Sequence, residues 1–116
     1  MESRYKFRAK SLDTGKWIYG GYYEVEGNAV ILHQTRGNQM QHSAVDCSTV
    51  GQWTGRTDKS GTEVYEKQIL EEDGQWYTVV WSDDDCSWWA SGIEDTESIA
   101  LSEIVSHSWL QEKYPL

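Results

Sequence analysis

Long apolar runs are missing from this chain of 116 residues, and Met1 is followed directly by charged side chains. A membrane helix needs about 20 consecutive apolar residues, so neither a membrane span nor a secretory signal is expected. Cysteine is scarce, with Cys47 and Cys86 the whole supply. Neither has a ligand-like neighbour at short spacing, which excludes a zinc knuckle, and without an export signal both thiols are expected reduced. The expected setting is the cytoplasm. Histidine is equally thin: His33, His42 and His107 stand far apart. No triad, phosphate loop or paired-carboxylate pattern accompanies them, so the reading is of a non-enzyme with no cofactor and no metal. Sequence spacing leaves open only a nucleophilic pairing of His42 with Cys47 or Cys86.

Positive charge is also short, with 10 Lys and Arg against 19 Asp and Glu for a net charge of -9. That balance argues against a polyanion-binding surface spread over the whole molecule, although a local basic patch is a separate matter. The charge is lopsided. Residues 1–16 hold five basic and two acidic side chains, whereas residues 66–103 hold eleven acids against Lys67 alone. Phenylalanine occurs once, against seven Trp and seven Tyr. Tyr and Trp carry a polar handle that suits a shallow core or an interface, and a chain of this size cannot easily bury all of them.

What is present reads as short strands. Tyr5, Phe7 and Ala9 alternate with Arg4, Lys6, Arg8 and Lys10, the pattern of a half-buried strand with four cations on its open face. Asp13-Thr14-Gly15-Lys16 is a turn; Trp17-Ile18-Tyr19 resumes the strand; Gly20-Gly21 marks a bulge or close backbone approach. Glu26-Gly27-Asn28 turns the chain into Ala29-Val30-Ile31-Leu32-His33. Residues 34–48 are polar and aperiodic, and are expected as a long loop. Val50 to Gly55 is a short strand, Asp58-Lys59-Ser60-Gly61 a second turn, and Thr62 to Tyr65 extended again. Residues 66–70 fit a helical turn or an extended piece. Asp73-Gly74 signals a hairpin into Trp76-Tyr77-Thr78-Val79-Val80-Trp81, which Asp83-Asp84-Asp85 breaks before Ser87-Trp88-Trp89-Ala90. Ile99, Leu101, Ile104, Val105 and Trp109 fit two strands or part of a helix, with β-branched residues favouring strands. The class is all-β, a small barrel or barrel-like sandwich, divided into an N-terminal β-meander with a long polar loop at 1–48 and a second β unit at 49–116. The two are expected to pack together, since neither is large enough to bury much core alone.

Three blocks in this order resemble the YopX family, small proteins of bacteriophages and prophages. They are Lys6-Phe7-Arg8-Ala9 with Lys16-Trp17-Ile18-Tyr19-Gly20; Val50-Gly51-Gln52-Trp53-Thr54-Gly55 with Asp58-Lys59-Ser60-Gly61 and Glu63-Val64-Tyr65-Glu66; and Glu103 to Trp109. The resemblance implies an SH3-like β-barrel in the second part, with the meander packed on it, and a phage or mobile-element origin. It implies no enzymatic activity. The chain departs from the family at Lys67-Gln68, where Gly-Asp is favoured, and at Ser106 and Ser108, where Gly and an apolar residue are usual.

Two binding modes follow. Trp88 and Trp89 are neighbours in one strand and point to opposite faces, so one of them is expected at a protein interface, by self-association or with a host protein. The alternative is nucleic acid on the basic strand of Arg4, Lys6, Arg8 and Lys10, with Arg36, Arg56 and Lys59 as further contacts and exposed rings for stacking. Net charge places this second. Three consecutive acids at Asp83-Asp84-Asp85 alternate sides on an extended segment and are expected as a solubilising turn, not a cation cage.

Overall fold

The computed structural model describes residues 6–34, 37 and 39–112. Arg4, Tyr5 and Arg36 lie outside them. The described residues are all-β, with eleven strands in antiparallel sheets and one short helix. The chain divides into two compact units, Met1–Trp53 and Thr54–Leu116.

The first unit contains β1 (Phe7–Lys10), β2 (Trp17–Val25), β3 (Asn28–Gln34) and β4 (Met40–Ala44), then a 3-10 turn at Cys47–Thr49 and the start of β5 (Gly51–Thr57). These strands neighbour one another in the order β4-β3-β2-β1-β5. The 12–16 turn is organised by Ser11, whose buried hydroxyl accepts the Asp13 and Thr14 N–H groups at 3.1 and 3.2 Å. Gly15 takes φ +73° there, a conformation glycine adopts without penalty. Gly20 is a close approach, because any Cβ on it would run into the Leu32 carbonyl of β3. The core of this unit is Ala9, Ala29, Ile31 and Val45, with Phe7, Ile18, Tyr22 and Val50 packed against it.

Strand β4 corrects the expectation of a loop through residues 34–48. Leu32 stands opposite His42 and Val30 opposite Ala44, in unbroken register with β3. An edge strand draws its stability from the backbone ladder, so it needs no apolar alternation to announce it.

The second unit holds the remainder of β5, then β6 (Glu63–Tyr65), β7 (Ile69–Glu72), β8 (Gln75–Ser82), β9 (Ser87–Gly92), β10 (Ile99–Ala100), α1 (Leu101–Ile104), a 3-10 turn at Val105–His107 and β11 (Trp109–Gln111). The latter part of β5 runs beside β6, and Thr54 Oγ1 donates to the Val64 carbonyl at 2.8 Å. Five strands form an open sheet in the order β10-β9-β8-β7-β11. The Asp73-Gly74 hairpin is a type I′ turn, with φ of +51° and +82°. Within residues 66–70 only Ile69 and Leu70 are extended, and Glu66 and Lys67 form a turn closed by Gln68, whose N–H donates to Tyr65 O and whose Oε1 accepts from Tyr65 N–H at 2.6 Å.

The preference for strands over 99–109 is corrected as well. Only Ile99–Ala100 and Trp109–Gln111 are extended, and the segment between them is helical. Leu101, Ile104 and Val105 are all buried in the core cluster with Val64, Leu70, Tyr77, Val79 and Ala90. Their i, i+3, i+4 spacing seats one helical face on that core, and this burial outweighs the β propensity of Ile and Val.

Asp58 fastens this unit. It is only 6 % exposed. Its Oδ1 accepts from Ser60 Oγ (2.7 Å), Thr62 N (2.9 Å) and Ser60 N (3.0 Å), and its Oδ2 from Leu110 N at 3.1 Å. Lys59 N donates in turn to the Ser108 carbonyl at 2.9 Å, so the 58–62 turn is tied to β11. Burial would raise the Asp58 pKa, but the donors from Ser60, Thr62 and Leu110 outweigh it and hold the carboxyl below its usual range.

Candidate functional site

The open face of the first unit brings cations and rings together. Side chains alternate along β1, so Phe7 and Ala9 enter the core while Lys6, Arg8 and Lys10 share the other side. Register then decides what surrounds them. Tyr19 stands opposite Arg8, Trp17 opposite Lys10, and the Trp53 N–H donates to Lys6 O on the other flank. The Arg8 guanidinium lies 3.7 Å from the Trp17 ring centre, and Lys10 Nζ is 5.4 Å from the same ring. Lys6 Nζ is 5.4 Å from the Trp53 ring. Each is a cation–π contact that holds the charge over the indole; Lys10 is exposed, whereas Lys6 and Arg8 are half-buried. Trp17 is 36 % and Tyr19 46 % exposed. Next to Tyr19 along β2, Gly21 leaves the face open, with nothing within 4 Å of where a Cβ would stand. At the Lys10 end sits Asp46, whose carboxylate accepts from Ser48 Oγ and Ser48 N. Those bonds, with a smaller contribution from Lys10, hold it below the usual carboxylate range.

Trp88 and Trp89 are separated in the second unit. Trp88 packs against the core cluster and meets Trp81 edge-on, ring centres 5.2 Å apart. Trp89 lies on the opposite face of the sheet, between Val80 of β8 and Ala100 of β10, and its indole N–H donates to Ser87 Oγ at 3.1 Å. The same face carries Trp76 and Trp109, both opposite Glu71, and Ile69 opposite Thr78. Lys59 Nζ lies 5.2 Å from the Trp109 ring. Trp89 and Trp76 are half-buried and Trp109 is 43 % exposed. Sequence reasoning singled out Trp88 and Trp89 but not Trp76 and Trp109, nor Trp17 and Trp53 around the basic strand. Each shares its face only through cross-strand register, and the sole sequence signal was strand parity within the adjoining hairpins.

The histidines found partners the sequence did not suggest. His33 Nε2 and Ser43 Oγ are 2.7 Å apart, and Tyr23 OH bonds His42 Nδ1. Both histidines and Ser43 line a cleft of about 560 Å³ with Ser11, Asp13 and Gln41. A Ser–His pair is the start of a nucleophilic site, but among the described residues no carboxylate bonds the second nitrogen of His33 to orient it. Cys47 and Cys86 are exposed free thiols. In the acidic hairpin Asp83 accepts from Trp81 Nε1 at 2.9 Å and Asp85 from Ser82 Oγ at 3.2 Å. Among the described residues no three His, Cys, Asp or Glu side chains converge as metal ligands, and no helix is long and apolar enough to cross a membrane.

Taken with the strand orders above, these faces define an all-β protein of two units whose rings and charges are displayed on sheet surfaces. The chain belongs to the YopX protein family, whose family model matches residues 6–109, nearly the whole length, and which is associated with phages and prophages. No curated protein and no solved structure matches it.

Proposed function

We propose that this chain is a non-enzymatic accessory protein of phage or prophage origin that acts by binding another protein in the cytoplasm of its bacterial host. The observation that carries the reading is the placement of Trp89, with Trp76 and Trp109, on the sheet face turned away from the core. Indoles are the side chains that most often anchor interfaces, and Glu71 between two of them gives the face an acidic element that suits a basic partner. The second unit corresponds on this reading to an SH3-like barrel. Support comes from β11 returning to pair with β7, the first strand of the five, after a helical turn. Analytical ultracentrifugation with acrylamide quenching tests the interface, alone and with host lysate fractions. Association that Trp89→Ser abolishes is expected; a chain that stays monomeric with every fraction, and whose quenching Trp89→Ser leaves unchanged, overturns it. A second reading, nucleic acid on the basic N-terminal strand, is favoured by the shared face of Lys6, Arg8 and Lys10 with Trp17 and Trp53.

A further inference from the structure

We infer that the open face of the first unit is a binding site for single-stranded nucleic acid, with Trp17 as the stacking platform and Lys6, Arg8 and Lys10 as the phosphate contacts. This rests on the nucleic-acid reading and adds to it the form of the ligand and the residues that hold it.

The spacing comes from the strand. Alternate residues of an antiparallel strand stand roughly 6.8 Å apart, so Lys6, Arg8 and Lys10 leave the sheet at even intervals, with Arg8 and Lys10 turned to Trp17 and Lys6 to Trp53. A phosphodiester chain in extended form presents its charges as a comparable repeat. Rings flank that row on both sides, with Trp17 and Tyr19 on β2 and Trp53 on β5. Arg8 covers one side of the Trp17 indole at 3.7 Å, which polarises the ring and fixes its plane. The open gap at Gly21, next to Tyr19, gives a splayed base room to reach the sheet.

Those features select among polyanions. An acidic peptide would use the cations but not the ring faces, whereas a polynucleotide supplies a flat ring with every charge. A duplex supplies the charges but hides its base faces in the stack, and a β-sheet face cannot reach them. Single strands meet both requirements. The acidity of residues 54–116 opposes the binding of any polyanion, and salt screens that repulsion.

The test is fluorescence anisotropy of the full chain with a labelled oligothymidylate of about 20 nucleotides, the matching duplex, and poly-glutamate as competitor. Binding of the single strand should fall with salt at a log–log slope of about −2, from three phosphate contacts at about 0.7 each. It should quench tryptophan emission. Trp17→Leu should weaken it about tenfold with the slope unchanged. Lys10→Glu, at an exposed position, should keep the parent circular dichroism spectrum, weaken binding and lower the slope by about 1. Equal or tighter binding of the duplex, or indifference to both variants, overturns this inference while nucleic-acid binding itself stands. Displacement by poly-glutamate at equal charge overturns it in favour of an acidic protein ligand. No binding to either nucleic acid at low salt removes the inference and the underlying reading together.

Discussion

Asp58 shows how much one carboxylate can organise. Its two oxygens take four donors, three inside the 58–62 turn and one from Leu110 on β11, fifty-two residues away. The sequence identified Asp58-Lys59-Ser60-Gly61 as a turn from local chemistry, but the bond to Leu110 depends on where β11 returns. The motif is thereby explained as a structural fastening. Replacing Asp58 by Asn should cost about 2 kcal/mol, since charge-assisted acceptors are lost and a buried donor is left facing other donors. Its folded pKa lies below the unfolded value of about 3.9, so the contribution is complete well above that pH and fades as pH falls through the lower folded value. Urea unfolding of both proteins between about pH 7 and 2 checks this, and the gap between them should narrow only at the acid end. A gap that stays constant to the lowest pH would refute the assignment.

At the scale of elements, the departure from the family at Lys67-Gln68 acquires a physical meaning. Lys67 adopts φ +78°, where glycine is at ease and a lysine is strained. Its N–H donates to the Val79 carbonyl at 2.8 Å, and Val79 N–H returns a bond to Gln68 O, so the turn is held in place by β8. Lys67→Gly should therefore stabilise the protein by about 1 kcal/mol, seen as a rise of about 4 °C in Tm. Loss of stability would mean that the lysine side chain contributes more than its backbone costs. Elements were legible in the sequence where local chemistry specifies them, as in the Asp73-Gly74 hairpin and the alternation of β1. The polar edge strand β4 and the helix at Leu101–Ile104 were not, because each is stabilised by neighbours from elsewhere in the chain.

Across the whole molecule, charge divides by unit. Residues 1–53 carry six basic and five acidic side chains, or +1, whereas residues 54–116 carry four and fourteen, or -10. Self-repulsion among those acids opposes compactness, and salt screens it. Differential scanning calorimetry should find the second unit's transition rising by a few degrees between about 20 and 200 mM NaCl. A fall with salt would show that attractive ion pairs dominate instead.

Sequence alone determined the β class, the main hairpins, the lopsided charge and the alternation that separates Trp88 from Trp89, because each is a property of residues near one another along the chain. Tertiary structure alone decided which rings stand beside Arg8 and Lys10, which indoles join Trp89, and that Asp58 reaches β11. Those depend on cross-strand register and on the return path of the last strand, and a shift of one residue in either would turn the same side chains to the opposite face.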